Sequence, residues 1–215
     1  MRIVEKLKID TRAGIRLFFL VLIILFAAYS MAVKSVNPII ASTIIVISLI
    51  LTLINLRERR MNLQKEIETF ITNAEDAEVN GQFQSALHFF DEALAIHPTN
   101  IKAMTGKTRC YIEMKSRDKA ITCSKKLLEL APRSPEAHYL MALSYYHGRM
   151  LEEAELHLRR SLEYNNAYEN ALMLMGDLQK QLKNPDLART FFEKLLSLTE
   201  DEKIKKAVRE KLESL

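Results

Sequence analysis

Polarity divides the chain into two unlike parts. Leu17 to Val33, LFFLVLIILFAAYSMAV, is a run of 17 apolar or weakly polar residues, about 25 Å if helical. Lys34-Ser35-Val36-Asn37-Pro38 interrupts it, and Ile39 to Leu56 is a second run of 18. Each approaches the length needed to cross a hydrocarbon core roughly 30 Å thick. Two such runs back to back predict a transmembrane helical hairpin with a short external loop at 34–38. A cleaved signal peptide, suggested by Ser30-Met31-Ala32, is disfavoured because a second span follows at once. The short loop leaves a re-entrant hairpin open. Beyond residue 66 the apolar residues recur at helical spacing between charged ones, and no run is long enough to span. Between Pro38 and Gly81 there is neither Pro nor Gly, so the second span can continue as one helix through a linker at 57–66 and on to Asn80.

The second part is periodic. Ala86, Ala120, Ala154 and Ala188 stand 34 residues apart. Around the first of them the chain reads GQFQSALHFFDEALAIHP, Gly81 to Pro98. At these residues the sequence resembles the tetratricopeptide repeat, a 34-residue helix–turn–helix unit with small residues at positions 8, 20 and 27 and Pro at position 32. Repeats starting at Ile67, Ile101, Pro135 and Glu169 place Ala74, Thr108, Ala142 and Gly176 at position 8. Position 20 is Ala throughout, and position 32 is Pro98, Pro132, Asn166 and Glu200. The resemblance covers residues 67–200, as 67–100, 101–134, 135–168 and 169–200.

The expected fold is therefore all-α: the hairpin, then a right-handed solenoid of about four repeats, then a capping helix. Ala86, Ala120, Ala154 and Ala188 are read as close-approach positions between helices, and Pro98 and Pro132 as turn positions. Gly81 and Gly148 sit where a first helix should end in a left-handed residue. Ser134-Pro135 and Asn184-Pro185 read as an N-cap followed by Pro at the first helical position. In Asp201–Leu215, Ile204, Ala207, Val208, Leu212 and Leu215 form one apolar stripe, expected to cover the last repeat.

The resemblance also implies a binding surface, a concave groove lined by the first helix of each repeat. Carried over by position, it holds Ile71 and Glu75, then Lys102, Thr105 and Arg109, then Tyr139, Leu143, Tyr146 and His147, then Met173, Asp177 and Lys180. An apolar and aromatic centre edged by cations suits a peptide or amphipathic helix. Tyr139 and Tyr146, seven residues apart on one helix face, are the expected anchors. The carboxylate clamp of chaperone-binding members is missing: Ile71, Glu75, Gly106, Glu136 and Leu140 occupy its positions.

Charge adds orientation. Nine basic residues flank the two spans (Arg2, Lys6, Lys8, Arg12, Arg16, Arg57, Arg59, Arg60, Lys65) and the loop holds Lys34 alone. Positive-inside bias then puts both termini in the cytoplasm. The net charge of +4 belongs to these collars, since residues 67–215 carry 21 basic and 23 acidic groups. It is no nucleic-acid footprint, and the partners implied are a lipid bilayer through residues 17–56 and a protein or peptide through the groove. Five Gly and five Pro argue against a sandwich or barrel, and two Cys exclude a disulfide scaffold. Cys110 and Cys123 are expected to be buried, reduced thiols. Gly106-Lys107-Thr108 ends like a phosphate loop, but Ile101 stands where its first Gly belongs. The five His form no HExxH or i, i+4 pair, so no metal, cofactor or catalytic set is expected. Two readings follow: a membrane-anchored, non-enzymatic scaffold or adaptor that recruits or assembles a complex, and a structural accessory subunit of a larger membrane complex.

Overall fold

The computed structural model describes residue 25 and residues 38–215, all-α with short turns. The helices are α1 (Pro38–Val79), α2 (Phe83–Ile96), α3 (Ile101–Glu113), α4 (Arg117–Leu130), α5 (Pro135–His147), α6 (Leu151–Tyr164), α7 (Glu169–Gln181), α8 (Pro185–Leu198) and α9 (Glu202–Glu213). The chain forms two compact units, one ending at Thr69 and the other running from Phe70 to Leu215.

The first unit holds residues 38–69 of α1, with no Gly and no further Pro to break the helix, and residues 70–79 of α1 belong to the second unit. Val46, Ile47, Leu49, Ile50, Leu51, Leu53, Ile54 and Leu56 are each 47–58% exposed. At 100° per residue these positions cover roughly 220° of the helix circumference, and Ser48, Thr52 and Asn55 line the remaining face. Even so, among the described residues no helix is long and apolar enough to cross a membrane. The expected hairpin is thus unsupported by the structure. Its first span, 17–33, lies outside the described residues, and its second, 39–56, lies partly outside them.

The second unit is built from helix pairs. α3 packs on α4, α5 on α6 and α7 on α8, and each second helix also packs on the first helix of the next pair. α3, α5 and α7 begin at Ile101, Pro135 and Glu169, 34 residues apart. Ala86, Ala120, Ala154 and Ala188 are at most 1% exposed, where a larger side chain would push two helices apart. Pro98 and Pro132 are exposed, just past the last helical residues, where a ring without an N–H cannot continue the helix. Where Ser124 replaces the large apolar residue of other repeats, its hydroxyl donates to the Ala120 carbonyl at 2.8 Å and lies 3.2 Å from the Ser144 hydroxyl. This satisfies a polar group that would otherwise be costly to bury. The expected cap is present: Val208 of α9 is fully buried beside Leu172, Phe192 and Leu195, with Ile204, Leu212 and Leu215 packed around them.

The first helices end differently from the expectation. Gly81 has φ +71°, but Gly148 has φ −78° and remains right-handed. The left-handed residues are Gly81, Lys115, Arg149 and Lys183, again 34 apart. In the third repeat, Arg149 N–H donates to Tyr146 O at 3.0 Å and Met150 N–H to Tyr145 O at 3.0 Å. The same pair of bonds recurs at Gly81–Gln82, Lys115–Ser116 and Lys183–Asn184. These are Schellman ends, whose second bond needs a left-handed residue whatever its side chain. Three basic residues bear the steric cost that glycine avoids. Arg149→Gly is therefore expected to raise stability by about 0.5–1 kcal/mol, the relief exceeding glycine's entropic penalty in the unfolded chain. Thermal unfolding checks this, and a lower melting temperature would contradict it. At the opposite ends, Ser134 accepts from Ala137 N–H at 3.2 Å as a true N-cap. Asn184 does not cap, because its side-chain amide donates to Gln179 Oε1 at 3.0 Å instead.

Candidate binding groove

Within the second unit α3 packs beside α5, and α5 beside α7. Between them these helices carry most of the residues expected to line one surface. That surface is braced by polar bonds between successive first helices. Arg109 on α3 makes a fork to Glu78 on α1, Nε to Oε1 at 2.8 Å and Nη2 to Oε2 at 2.9 Å. Its Nη1 lies 3.8 Å from Glu136 on α5. One guanidinium thus ties three first helices, which a planar fork does better than an ammonium. Lys102 pairs with Glu75 at 2.9 Å and stays 65% exposed. At the far end Asp177 on α7 pairs with Lys211 on α9, and Lys180 donates to the Ser214 hydroxyl at 2.7 Å. The capping helix therefore meets α7 through two expected groove residues.

The expected lining residues fare unequally. Thr105 and Ile71 are buried, 6% and 4% exposed, so neither reaches a ligand. Both sit on helix faces turned toward packed neighbours, which repeat position alone could not reveal. Tyr139 and Leu143 pack against two core clusters at once, one around Met104, Ile112 and Leu140 and one around Leu158, Leu174 and Met175. Tyr139 also meets Tyr168 edge-on, with ring centroids 5.7 Å apart. Burial pushes its phenol up to about 12. Tyr139 is thus a strut between repeats. Tyr146 is half-buried against the second cluster, its phenol raised by burial and then by Asp177. Met173 is half-buried against the C-terminal cluster, and His147 is exposed. His147 also borders a cleft of about 270 Å³ with Lys115 and Arg117. Of the expected lining residues, Lys102, His147 and Lys180 are exposed and Tyr146 is half-buried.

The helix pairs also hold chemistry that sequence spacing did not suggest. His138 on α5 and His157 on α6 face each other with Nδ1 atoms 3.2 Å apart. Burial lowers both imidazoles from the usual histidine value, aided at His157 by His138, which favours their neutral forms. Nineteen residues separate them, an interval visible only by comparing repeat positions. Cys110 and Cys123 are both buried and unpaired, their thiols raised by burial, Cys110 to about 12. That makes them poor nucleophiles.

Comparison with known proteins places this architecture. Residues 80–143 and 169–202 match tetratricopeptide repeat families. Sperm-associated antigen 1 of Mus musculus is 26% identical over 149 residues, covering 63% of this chain but only 16% of that protein. The chain thus spans about a sixth of the length of the curated relative it matches. A thermophilic TPR protein of Thermus thermophilus superposes with a TM-score of 0.63 at 19% identity, covering 69% of this chain and 82% of that one. The first TPR of Spaghetti (RPAP3), solved with the HSP90 peptide SRMEEVD, superposes at 0.52 with 16% identity, covering 55% and 94%.

Proposed function

We infer that this chain, which carries tetratricopeptide repeats over residues 80–143 and 169–202, is a non-catalytic scaffold that binds a protein segment in its groove beside a membrane. Tetratricopeptide domains are generally protein-interaction scaffolds, and one similar domain has been solved with a peptide. The observation that carries the reading is the row of first helices, tied by the Glu78–Arg109–Glu136 bridge, with His147 exposed and Tyr146 half-buried beside it. The groove fits an internal peptide or an amphipathic helix better than a terminal carboxylate. Of the positions that would clamp a carboxylate, Ile71 and Leu140 are buried. Gly106 has no side chain, and Glu75 and Glu136 are themselves negative.

Membrane anchoring through residues 17–56, with both termini cytoplasmic, completes the proposal. Its support is the pair of apolar runs, the basic residues that flank them, and the broad face of exposed apolar side chains on α1 between Val46 and Leu56. So wide an exposed apolar face needs an apolar solvent or a partner against it. Anchoring raises the local concentration of a weak peptide binder near membrane targets. The test is cross-linked capture from native membranes with the full chain and with Lys102→Glu, each carrying a topology reporter after Leu215. The expected result is one dominant partner, reduced capture by the variant, and a reporter active on the cytoplasmic side. Equal capture by both removes the groove reading. A reporter active only outside the cytoplasm removes the topology, and a stoichiometric complex indifferent to groove changes favours the accessory-subunit role.

A further inference from the structure

The repeats supply an internal control for the histidine pair. His138 and His157 occupy positions 4 and 23 of the third repeat. The same positions hold Phe70 and Phe89 in the first repeat, Met104 and Cys123 in the second, and Leu172 and Phe191 in the fourth. Packing at these positions is thus met by residues without an imidazole, and the third repeat alone of these four replaces both at once. The two imidazoles are also held. His138 Nε2 lies 3.1 Å from the Pro132 carbonyl oxygen, which can only accept, so Nε2 carries the proton and Nδ1 presents a bare lone pair. The His157 ring stacks on Tyr145 at 5.7 Å, and the His138 ring lies against Tyr164 at 5.5 Å.

We propose that His138 and His157 form an open, two-imidazole binding site for a borderline divalent transition metal of the zinc class. Their Nδ1 atoms, 3.2 Å apart, are near the separation of about 3.4 Å between two nitrogens bound tetrahedrally to one zinc at about 2.1 Å. A histidine ligand typically donates its other N–H to a carbonyl, as His138 does to Pro132, which fixes the ring and its tautomer. His157 completes the pair by moving its proton from Nδ1 to Nε2, so the neutral pair binds without net proton release. Among the described residues no group of three or more His, Cys, Asp or Glu could hold a metal ion. The remaining coordination positions therefore fall to water or to a side chain brought by a partner, and the ion joins α5 to α6 with modest affinity on its own.

The test uses the purified, untagged chain, stripped with chelator and titrated with zinc chloride at pH 7.5 and at pH 5 while its thermal unfolding is followed. Binding to the folded state alone raises the melting temperature with zinc concentration. The expected result is a saturable rise of several degrees at pH 7.5 that is lost at pH 5, where protons occupy the ligand nitrogens. The rise is also expected to be lost in His138→Leu with His157→Phe, the residues of the fourth repeat. His157→Phe alone, which leaves the His138–Pro132 contact in place, keeps the test valid if the double variant does not fold. It is expected to abolish the saturable rise as well. No zinc-dependent rise in the original chain, or the same rise in either variant, overturns the proposal. The second outcome assigns the ion to other groups.

Discussion

Gly106→Ala is expected to lower the melting temperature sharply although it adds one methyl group. A Cβ at Gly106 would stand 2.1 Å from Cζ of Phe90, with two further ring atoms within 2.7 Å. Phe90 is fully buried, so its ring has no vacant space to swing into, and α2 and α3 must separate instead. Alanine has the better helix propensity by about 1 kcal/mol, but a contact more than 1 Å too close in a packed interior outweighs that. Overpacking of this kind costs about 1–3 kcal/mol, roughly 2–12 °C in a chain of this size. Gly176→Ala, whose Cβ would meet Phe192 at 2.4 Å, is expected to behave alike. The check is a double-mutant cycle in which Phe90→Leu is combined with Gly106→Ala. The pair should lose less than the sum of the single changes, because the smaller side chain makes room for the methyl. Strict additivity would mean that the two residues do not press on each other.

Tyr139→Ala is expected to cost about 2 kcal/mol of stability, below the 3–5 typical of a fully buried aromatic because the ring is only partly enclosed. The ring bridges two core clusters and meets Tyr168 edge-on, so its loss opens a gap between the second and third repeats. Tyr139→Phe should be nearly neutral. His147→Ala should leave the melting temperature within a degree or two while reducing partner capture, since His147 is exposed on the accessible part of the groove. The two variants separate packing from recognition, which a double change at Tyr139 and Tyr146 would confound. An unchanged melting temperature in Tyr139→Ala would return that residue to the role of an anchor.

These outcomes show where the sequence was legible. The helical pairs followed from Ala86, Ala120, Ala154 and Ala188, because close approach of two helices demands a small residue once per repeat. The cap followed from the stripe ending in Leu212 and Leu215, because an exposed last repeat must be covered. Second-helix ends are equally regular at Ile96, Leu130, Tyr164 and Leu198. They recur even where Asn166 and Glu200 stand in place of proline, so the turn is set by repeat packing as much as by the proline ring. Gly148 misled because glycine permits a left-handed backbone without requiring one. The Schellman bonds fix the left-handed residue one place later, at Arg149.

The sequence by itself thus determined the helix count per repeat, the small-residue contacts, the capping stripe and the polarity contrast between the residues before and after Leu56. These depend on neighbours within a turn or on a strict period, and local physics writes both into the order of residues. Only the tertiary structure decided which groove residues are reachable, that Arg109 is held between Glu78 and Glu136, that Tyr139 is a strut, and that His138 meets His157. Each of these depends on which side chains from different helices are brought face to face. That is fixed by the angle and spacing of packed helices, and the same 34-residue register is compatible with a lining residue being exposed, paired or buried.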